Sequence, residues 1–451
     1  MRRPSIRSLA GGAAGIAAGV IGGIVLTSVS AAGPAPVSRT PALIDATHVP
    51  PVLRLPGEPV RLRYGLVCAP RDDGRPCDGE GTVYLRAGRS GPFRPYPFQR
   101  GDESRDGRYF LDVPAAVADS NDGFSYYAVL RDDSSGASVT VPSGGADAPQ
   151  SSLPLGAAIR IALGRHAFGA VRDPDARVAA ASWGSAPQDV GLAGSRELGF
   201  SGPSSFDVEP DGTIDLLDSV NGRVMRWGQG RRELVPFGDA AELADFTVES
   251  DGTFDVLDAR GVLRSFHRDG TPGWTQKLSD RTWAKLDHGS SGPVVLQQPS
   301  EQWMPVADDG KPLTRKQQAA AAHAEKKLAN GDDLLVARIG EGELRIAEVH
   351  RGAPVRAWRI TSETPLGEVQ LAESSGSRIV VVTRVYSDDH DEFVAVVLDR
   401  AGLAARFSVA SDSWTETAPL ARFRLARGAL YRLRTTQSGA FVDRFDLEVP
   451  Q

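Results

Sequence analysis

This sequence of 451 residues has few cysteines, few lysines and no excess of basic residues. Cys68 and Cys77 are the only cysteines, and their even number in an exported chain favours a Cys68–Cys77 disulfide. A zinc site without a neighbouring histidine and a pair of reduced thiols are the weaker alternatives. The arginine-rich composition suggests a gene from a high-GC bacterium. The formal net charge of −6 argues against a nucleic-acid partner, which requires a basic surface.

Familiar catalytic motifs are also missing. The seven histidines show no H-E-x-x-H spacing, and the sequence contains neither the G-x-S-x-G elbow of serine hydrolases nor a P-loop. These absences lower the expectation of an enzyme without excluding one, because a site assembled from distant segments leaves no local motif.

The first residues combine three arginines with an uncharged stretch from Leu9 to Val37. Small residues around Ala31 fit an A-x-A-like cleavage site, so residues 1–32 are predicted to be an export signal peptide. A span of about 20 apolar residues can also remain as a membrane anchor. In both cases we expect an extracellular protein, either secreted or anchored through its N-terminal segment.

The rest of the chain is predicted to be all-β, with two domains. After a leader at 33–56, residues 57–143 contain short alternating segments such as VRLRYGLVC and FSYYAVLRD, separated by turn residues. This pattern is typical of an antiparallel β-sandwich of the immunoglobulin or fibronectin type. The small polar residues that follow suggest a linker at 144–186.

A string of acidic and apolar residues then occurs twice, 40 residues apart. FDVEPDGTIDLLD spans 206–218 and FTVESDGTFDVLD spans 246–258. Apolar and polar residues alternate around a central Asp-Gly pair, which predicts a hairpin with positive φ at both turn residues. Four short strands in a period of about 40 to 45 residues predict the blade of a β-propeller.

The first copy resembles the NHL repeat in the run GTIDLLDSVNGRVMRW. A glycine leads into an aliphatic strand and an Asp-rich turn, followed by Asn, Arg, an aliphatic residue and an aromatic. Residues 206–227 match this order well, and 246–266 match it with one residue deleted and without the Asn-Arg pair. The resemblance implies a propeller at 187–451, and six units of about 42 residues fit this length.

Two irregularities are expected in the ring. The last unit shows only three strands, so we predict that a segment before the first blade, such as residues 187–194, supplies the fourth and leaves no exposed edge. A helical insertion is predicted at 313–330, because Thr314 and Gln317 form a capping box, alanines follow, and an Asn-Gly pair ends the pattern. The insertion is either a tolerated surface element or a lid or docking element.

The candidate functional residues lie on loops that are expected to share one mouth of the propeller. These loops join the second and third strands of three blades and contain Asp218, Asp258 and the acidic run SDDHDE, which includes His390. A solvated acidic turn is the favoured explanation of the acidic run, although its carboxylates suit Ca²⁺. The candidate calcium ligands are Asp388, Asp389 and Asp391. No other metal or cofactor is predicted.

Tryptophans recur along the predicted ring. Trp227, Trp274, Trp358 and Trp414 are spaced roughly one blade apart and are predicted to pack between blades. Trp303 and Trp414 lie near loops, where either can offer a surface for carbohydrate stacking.

The sequence favours an exported, non-enzymatic protein that binds a protein, peptide or glycan at one mouth of the propeller. The alternative is an extracellular metal-dependent lyase or hydrolase with its site in the channel, because related propellers include such enzymes. Three or more carboxylates or histidines meeting at the axis favour the enzyme, whereas small apolar residues there favour binding. Fold alone does not decide between them.

Overall fold

The computed structural model confirms an all-β chain. Its described residues are 44–68, 78–99, 108–195, 197, 199–228, 230–238, 245–278, 283–289, 291–297, 302–321, 326–328, 330–415 and 420–447. No helix within these ranges is long and apolar enough to cross a membrane. The signal at 1–32 and Cys77 lie outside the described residues, so the export signal and the disulfide stay predictions.

The N-terminal strands form two sheets around one hydrophobic core. The elements are β1 (Ile44–His48), β2 (Leu53–Arg54), β3 (Arg61–Cys68), β4 (Gly79–Ala87), β5 (Arg94–Pro97), β6 (Arg108–Asp112), α1 (Ala115–Ala118), β7 (Phe124–Asp132), β8 (Ser138–Val141) and β9 (Gln150–Pro154). One sheet has the order β1-β3-β6, and the other has the order β2-β9-β7-β4-β5 with β8 beside β7. Inward-facing residues of both sheets, such as Leu62 and Tyr126, form the core. The immunoglobulin or fibronectin type stays a prediction.

Four described strands lie between β9 and the first blade. The first two of them pair with strands of later blades, and the other two form a short hairpin. They are β10 (Ile159–Ala162), β11 (Ala176–Ser182), β12 (Ala193–Ser195) and β13 (Gly199–Ser201). Blade 1 consists of β14 (Phe206–Val208), β15 (Ile214–Asp218), β16 (Arg223–Gly228) and β17 (Arg231–Pro236). Blade 2 consists of β18 (Asp245–Val248), β19 (Phe254–Leu257), β20 (Val262–Phe266) and β21 (Pro272–Lys277). The two copies of the repeated string therefore begin two successive blades.

Four further blades complete the propeller. Blade 3 consists of β22 (Trp283–His288), β23 (Pro293–Gln297) and β24 (Gln302–Pro305). It is followed by β25 (Ala307–Asp308), β26 (Lys311–Pro312), α2 (Arg315–Ala321) and β27 (Lys326–Lys327). Blade 4 contains β28 (Asp333–Ile339), β29 (Glu343–His350) and β30 (Ala353–Thr361). Blade 5 contains β31 (Leu366–Ser375), β32 (Arg378–Tyr386), β33 (Asp391–Leu398) and β34 (Leu403–Ala410). Blade 6 contains β35 (Phe423–Ala426), β36 (Ala429–Thr436) and β37 (Gly439–Asp446).

The first strands of the six blades surround a central axis. Neighbouring first strands contact each other from blade 4 through blades 5, 6, 1 and 2 to blade 3, including β35 of blade 6 against β14 of blade 1. Blades 3 and 4 differ, because a cavity lies between β22 and β28. The six-bladed ring agrees with the sequence, and the cavity between blades 3 and 4 contains the candidate site.

Two strands from the segment predicted as a linker, 144–186, complete blades 4 and 6. β10 runs parallel to β30, with Ile159 opposite Trp358. β11 pairs antiparallel with β37, with Ala181 opposite Ala440. A segment before the first blade thus closes the ring, as predicted, but it is β11 and not the suggested residues 187–194. The closing strand has the sequence ARVAAAS, whose small side chains give a weak apolar pattern although Ala181 is buried.

The repeated Asp-Gly turn differs from the predicted geometry. Gly212 has a φ of 93°, but Asp211 is not among the residues with positive φ. The Asp211 carboxylate instead accepts a hydrogen bond from the Thr213 N–H at 2.8 Å. Asp211 thus stabilises the turn through its side chain, which is a common role of aspartate in turns.

The helical insertion is shorter than predicted. The capping box is confirmed, because the Thr314 N–H donates to Gln317 Oε1 at 2.9 Å, but α2 ends at Ala321. Lys326 and Lys327 pair with β28 instead of continuing a helix. Pairing with a neighbouring strand overrides the helix propensity of the sequence here.

Candidate functional site

Charged side chains from four blades meet at the axis of the ring. Asp207, Asp245 and Asp287 lie on the first strands of blades 1, 2 and 3, and Arg424 lies on the first strand of blade 6. Removing charges from water is costly unless they are paired and hydrogen-bonded. The ion-pair partners of these side chains therefore determine whether they are available for ligand binding or catalysis.

Arg424 joins three blades at the axis. Its Nε donates to the Phe206 carbonyl and its Nη2 to the Phe246 carbonyl, both at 3.0 Å. The guanidinium lies 3.6 Å from the Asp207 carboxylate and 4.0 Å from that of Asp245. Burial acts to lower the pKa of Arg424, but Asp207 and the other nearby carboxylates outweigh it and raise that pKa above its ordinary value.

His288, the last residue of β22, is a second cation at the axis. Its Nε2 lies 3.0 Å from Asp207 Oδ2 and 2.9 Å from Thr247 Oγ1, and its Nδ1 lies 3.8 Å from Glu249 Oε2. Burial acts to lower the pKa of His288, but Asp207 and Glu249 outweigh it and raise that pKa to about 10. The imidazole is therefore protonated at neutral pH and is not available as a general base.

Lys326 neutralises two further carboxylates near the axis. Its Nζ lies 2.5 Å from Asp287 Oδ2 and 2.8 Å from Glu373 Oε1. Burial acts to raise the pKa of Asp287, but Lys326 outweighs it and that pKa is lowered. Asp245 has no such close cation, so burial raises its pKa although the Ser205 hydroxyl donates to it at 2.7 Å.

Other acidic residues of the repeated string, Glu209 and Asp215, pair with arginines of blades 1 and 2. In blade 1, Arg226 lies 2.7 Å from Asp215 and 3.3 Å from Glu209, and Arg268 of blade 2 lies 2.9 Å from Glu209. Burial raises the pKa of Asp215 to about 8, with Arg226 opposing the rise and Glu209 adding to it. Asp215 and Glu209 are thus paired with two arginines, one in the same blade and one in the next.

Blade 2 repeats the acid pair without the arginine. Asp255 faces Ser265 across the strand pair, at the place where Asp215 faces Arg226 in blade 1. Burial raises the pKa of Asp255 to about 7, against the hydrogen bond from Ser265 and together with the charge of Glu249. Asp255 is thus a buried carboxyl that titrates near neutral pH.

We expect Asp255→Asn to reduce the loss of stability between pH 5 and pH 8. The folded-state pKa lies above the unfolded value, so the folded protein holds a proton that the unfolded chain has released, and the free energy of unfolding falls as pH rises from about 4 to about 7. The difference amounts to about 2–4 kcal/mol. Urea denaturation at several pH values measures it. Asp251→Asn, an exposed change in the same hairpin, is the control, and equal pH slopes in wild type and Asp255→Asn would contradict the expectation.

The predicted mouth residues Asp218 and Asp258 stabilise their own loops. Asp218 Oδ2 accepts from Arg223 Nε, and its Oδ1 accepts from the Gly191 N–H, both at 2.8 Å. Asp258 Oδ1 accepts from the Arg260 N–H at 2.9 Å. Both carboxylates are buried. Their hydrogen-bonding capacity is used within the fold, which leaves little for a ligand.

The acidic run SDDHDE is at the predicted connection, with residues 387–390 between β32 and β33 and the last two residues on β33. Asp391 Oδ2 is 2.8 Å from Arg384 Nη2. Ser387, Asp388, Asp389 and His390 are exposed in this loop. No three His, Cys, Asp or Glu side chains are grouped to hold a metal ion in the ranges that the structure describes. A calcium site on this loop stays a prediction.

Two adjoining cavities open between blades 3 and 4. The axial cavity has a volume of about 390 Å³ and contains axial charged residues in its lining together with an apolar wall. That wall is formed by Leu286, Leu296, Leu334 and Val336. The side cavity has a volume of about 220 Å³ and is lined by His288 among others. Asp287, Trp303 and Lys326 border both cavities.

No family model matches the chain. No curated protein matches it either. Several solved structures show a distant likeness. Virginiamycin B lyase from Staphylococcus aureus is 9% identical, with 55% of this chain and 85% of that chain covered and a TM-score of 0.30. BamB from Moraxella catarrhalis is 11% identical, with 60% and 99% covered and a TM-score of 0.28. The Pan2 WD40 domain from Neurospora crassa is 13% identical, with 55% and 90% covered and a TM-score of 0.32. TM-scores this low say nothing about function, and the propeller rests on the sheet order.

Sequence reasoning missed the axial charges. One signal was present, because extending the 40-residue period into a third unit aligns Asp287 with Asp207 and Thr247. Lys326 and Arg424 gave no such signal, since they come from a short strand before blade 4 and from a blade without a recognisable repeat.

Proposed function

We propose that this protein is an exported, non-enzymatic recognition protein that binds a protein, peptide or glycan at the axial mouth of its propeller. The pairing of the axial charges carries the proposal. Asp207 is neutralised by His288 and Arg424, and Asp287 is neutralised by Lys326. A cation paired with a carboxylate lowers its affinity for protons and competes with a metal ion for its oxygens, which disfavours general-base and metal catalysis at these groups.

The cavity at the axis supports the same proposal. A ring of packed blades holds the surrounding side chains in fixed positions, and rigid scaffolds with variable loops are suited to recognition. The proposal includes an NHL-type propeller and an N-terminal domain of the immunoglobulin or fibronectin type. It also includes an extracellular location, with membrane contact only through an uncleaved N-terminal segment.

A metal-dependent lyase or hydrolase is the second candidate. Several carboxylates meet at the axis, which is the condition that favours an enzyme. Among these carboxylates, Asp245 is the candidate metal ligand, because its nearest cation, Arg424, is 4.0 Å away. A metal ion at this point would have to compete with Arg424 and Lys326 for the same oxygens.

Binding and turnover measurements on the purified full-length protein separate the two candidates. The protein is applied to glycan and peptide arrays, its metal content is measured, and each bound compound is checked for cleavage by mass spectrometry. We expect saturable binding of at least one compound without cleavage. Stoichiometric metal together with metal-dependent cleavage of a bound compound would support the lyase or hydrolase instead.

A further inference from the structure

Trp303 stands where the axial and side cavities meet. Its side chain, on β24 of blade 3, borders both cavities together with Asp287 and Lys326. An indole ring presents a flat apolar face, and charged groups beside it can exchange hydrogen bonds with the edge of a ligand. A pyranose ring has the complementary arrangement, with C–H groups on its face and hydroxyls around its edge.

The charges that line the axial cavity balance one another. The carboxylates in its lining are Asp245, Asp287, Glu368 and Glu373. The cations in its lining are Lys285, Lys326, Arg338 and Arg424. Lys326 is paired with Asp287 and Glu373, and Lys285 lies 3.6 Å from Glu368. The cavity therefore has no unbalanced charge to attract an ionic ligand.

This balance selects against charged ligands. A phosphate or a carboxylate that pairs with Lys326 takes this cation from its partners and leaves Asp287 without compensation. A sugar hydroxyl both donates and accepts hydrogen bonds, so it can join the network without separating the ion pair. The volume of about 390 Å³ lies in the range of about 300 to 1,000 Å³ that small-molecule sites occupy.

The other candidate stacking surface, Trp414, is occupied by packing. Its ring stacks on Phe200 with centroids 4.9 Å apart and lies 5.8 Å from the ring of Trp183. It lines neither cavity between blades 3 and 4. Trp414 is therefore the matched control for Trp303, because it is the same residue type in a packing role.

We infer that the axial cavity binds one uncharged sugar unit of a glycan, with Trp303 stacking on the ring and Asp287 and Lys326 binding its hydroxyls. This inference rests on the proposed recognition function and specifies its ligand class.

Calorimetric titration of the full-length protein tests the inference. The probes are the methyl glycosides of glucose, galactose, mannose and N-acetylglucosamine, with glucuronic acid and glucosamine as charged counterparts. At least one methyl glycoside is expected to bind saturably, and the charged sugars are expected to bind at least about tenfold more weakly. Trp303→Ala should raise the Kd at least about tenfold and Trp303→Phe should raise it less, whereas Trp414→Ala should leave the Kd unchanged.

Several outcomes would overturn the inference. These are the absence of binding by all four glycosides, an unchanged Kd in Trp303→Ala, or binding of a charged sugar as tight as that of its neutral counterpart. If the alanine variant loses its far-ultraviolet circular dichroism, Trp303→Phe and Lys326→Met replace it in the test, since both keep side chains of similar length. An unchanged Kd in both variants would then overturn the inference. Peptide binding on the arrays with no glycoside binding would contradict a sugar ligand but would still support the recognition function.

Discussion

Replacing Arg424 by alanine is expected to lower the free energy of unfolding by about 3–5 kcal/mol. The change removes the hydrogen bonds to the carbonyls of Phe206 and Phe246. It also leaves the carboxylates of Asp207 and Asp245 buried without their common cation. Urea denaturation of the purified variant measures the loss, and a reduced midpoint with an unchanged slope identifies it as a loss of stability.

A second arginine, in the next turn of the chain, provides the control. Arg427 is exposed and donates to the Asp211 carbonyl, so Arg427→Ala should cost less than about 1 kcal/mol. Arg424→Lys should fall between the two, because a single ammonium group does not reproduce the two directed contacts of a guanidinium. Equal losses in Arg424→Ala and Arg427→Ala would show that the axial charges do not hold the ring together.

Trp358→Ala is expected to cost about 3–5 kcal/mol as well, for a different reason. The side chain is fully buried in a core shared by blades 4 and 5, so truncation leaves a cavity there. Its indole N–H also donates to the Asp399 carbonyl of blade 5 at 3.1 Å. Thermal and urea denaturation measure the effect.

Two variants separate the cavity from the hydrogen bond. Trp358→Phe loses the N–H but keeps much of the volume, and should cost roughly half as much as the alanine change. Trp274→Ala, on the outer strand of blade 2, removes a partly buried tryptophan and should cost less than Trp358→Ala. A loss in Trp274→Ala equal to that in Trp358→Ala would contradict the central role of Trp358.

The parts of the fold that were predictable are those in which local pattern and tertiary position agree. The repeated string predicted the first strands of blades 1 and 2, because alternation and an Asp-Gly turn are properties of the hairpin itself. The packing role of Trp358 was predictable for a similar reason, since a large aromatic side chain at blade spacing is most stable when buried.

The closing strands and the candidate site depend on partners that are far apart in sequence. β11 consists mostly of alanine and becomes a strand only because β37 lies beside it. Lys326 and Lys327 follow an alanine-rich helix but pair with β28. Asp215 and Asp255 are conspicuous in the repeated sequence, but they are buried within blades. The cavity is bordered by residues such as Lys326, which lie outside the repeated sequence.

The strands that complete blades 4 and 6 also determine the order in which the protein can fold. Blades 1 and 2 pair only strands that are adjacent in the chain, so their hairpins can form early. β10 and β11 are made long before their partners β30 and β37, and closing loops of that length is slow. We expect ring closure to be the last and rate-limiting step of folding. Until blade 6 is in place, β11 and the face of blade 1 that packs against blade 6 are exposed to other chains, so folding yield should depend on protein concentration.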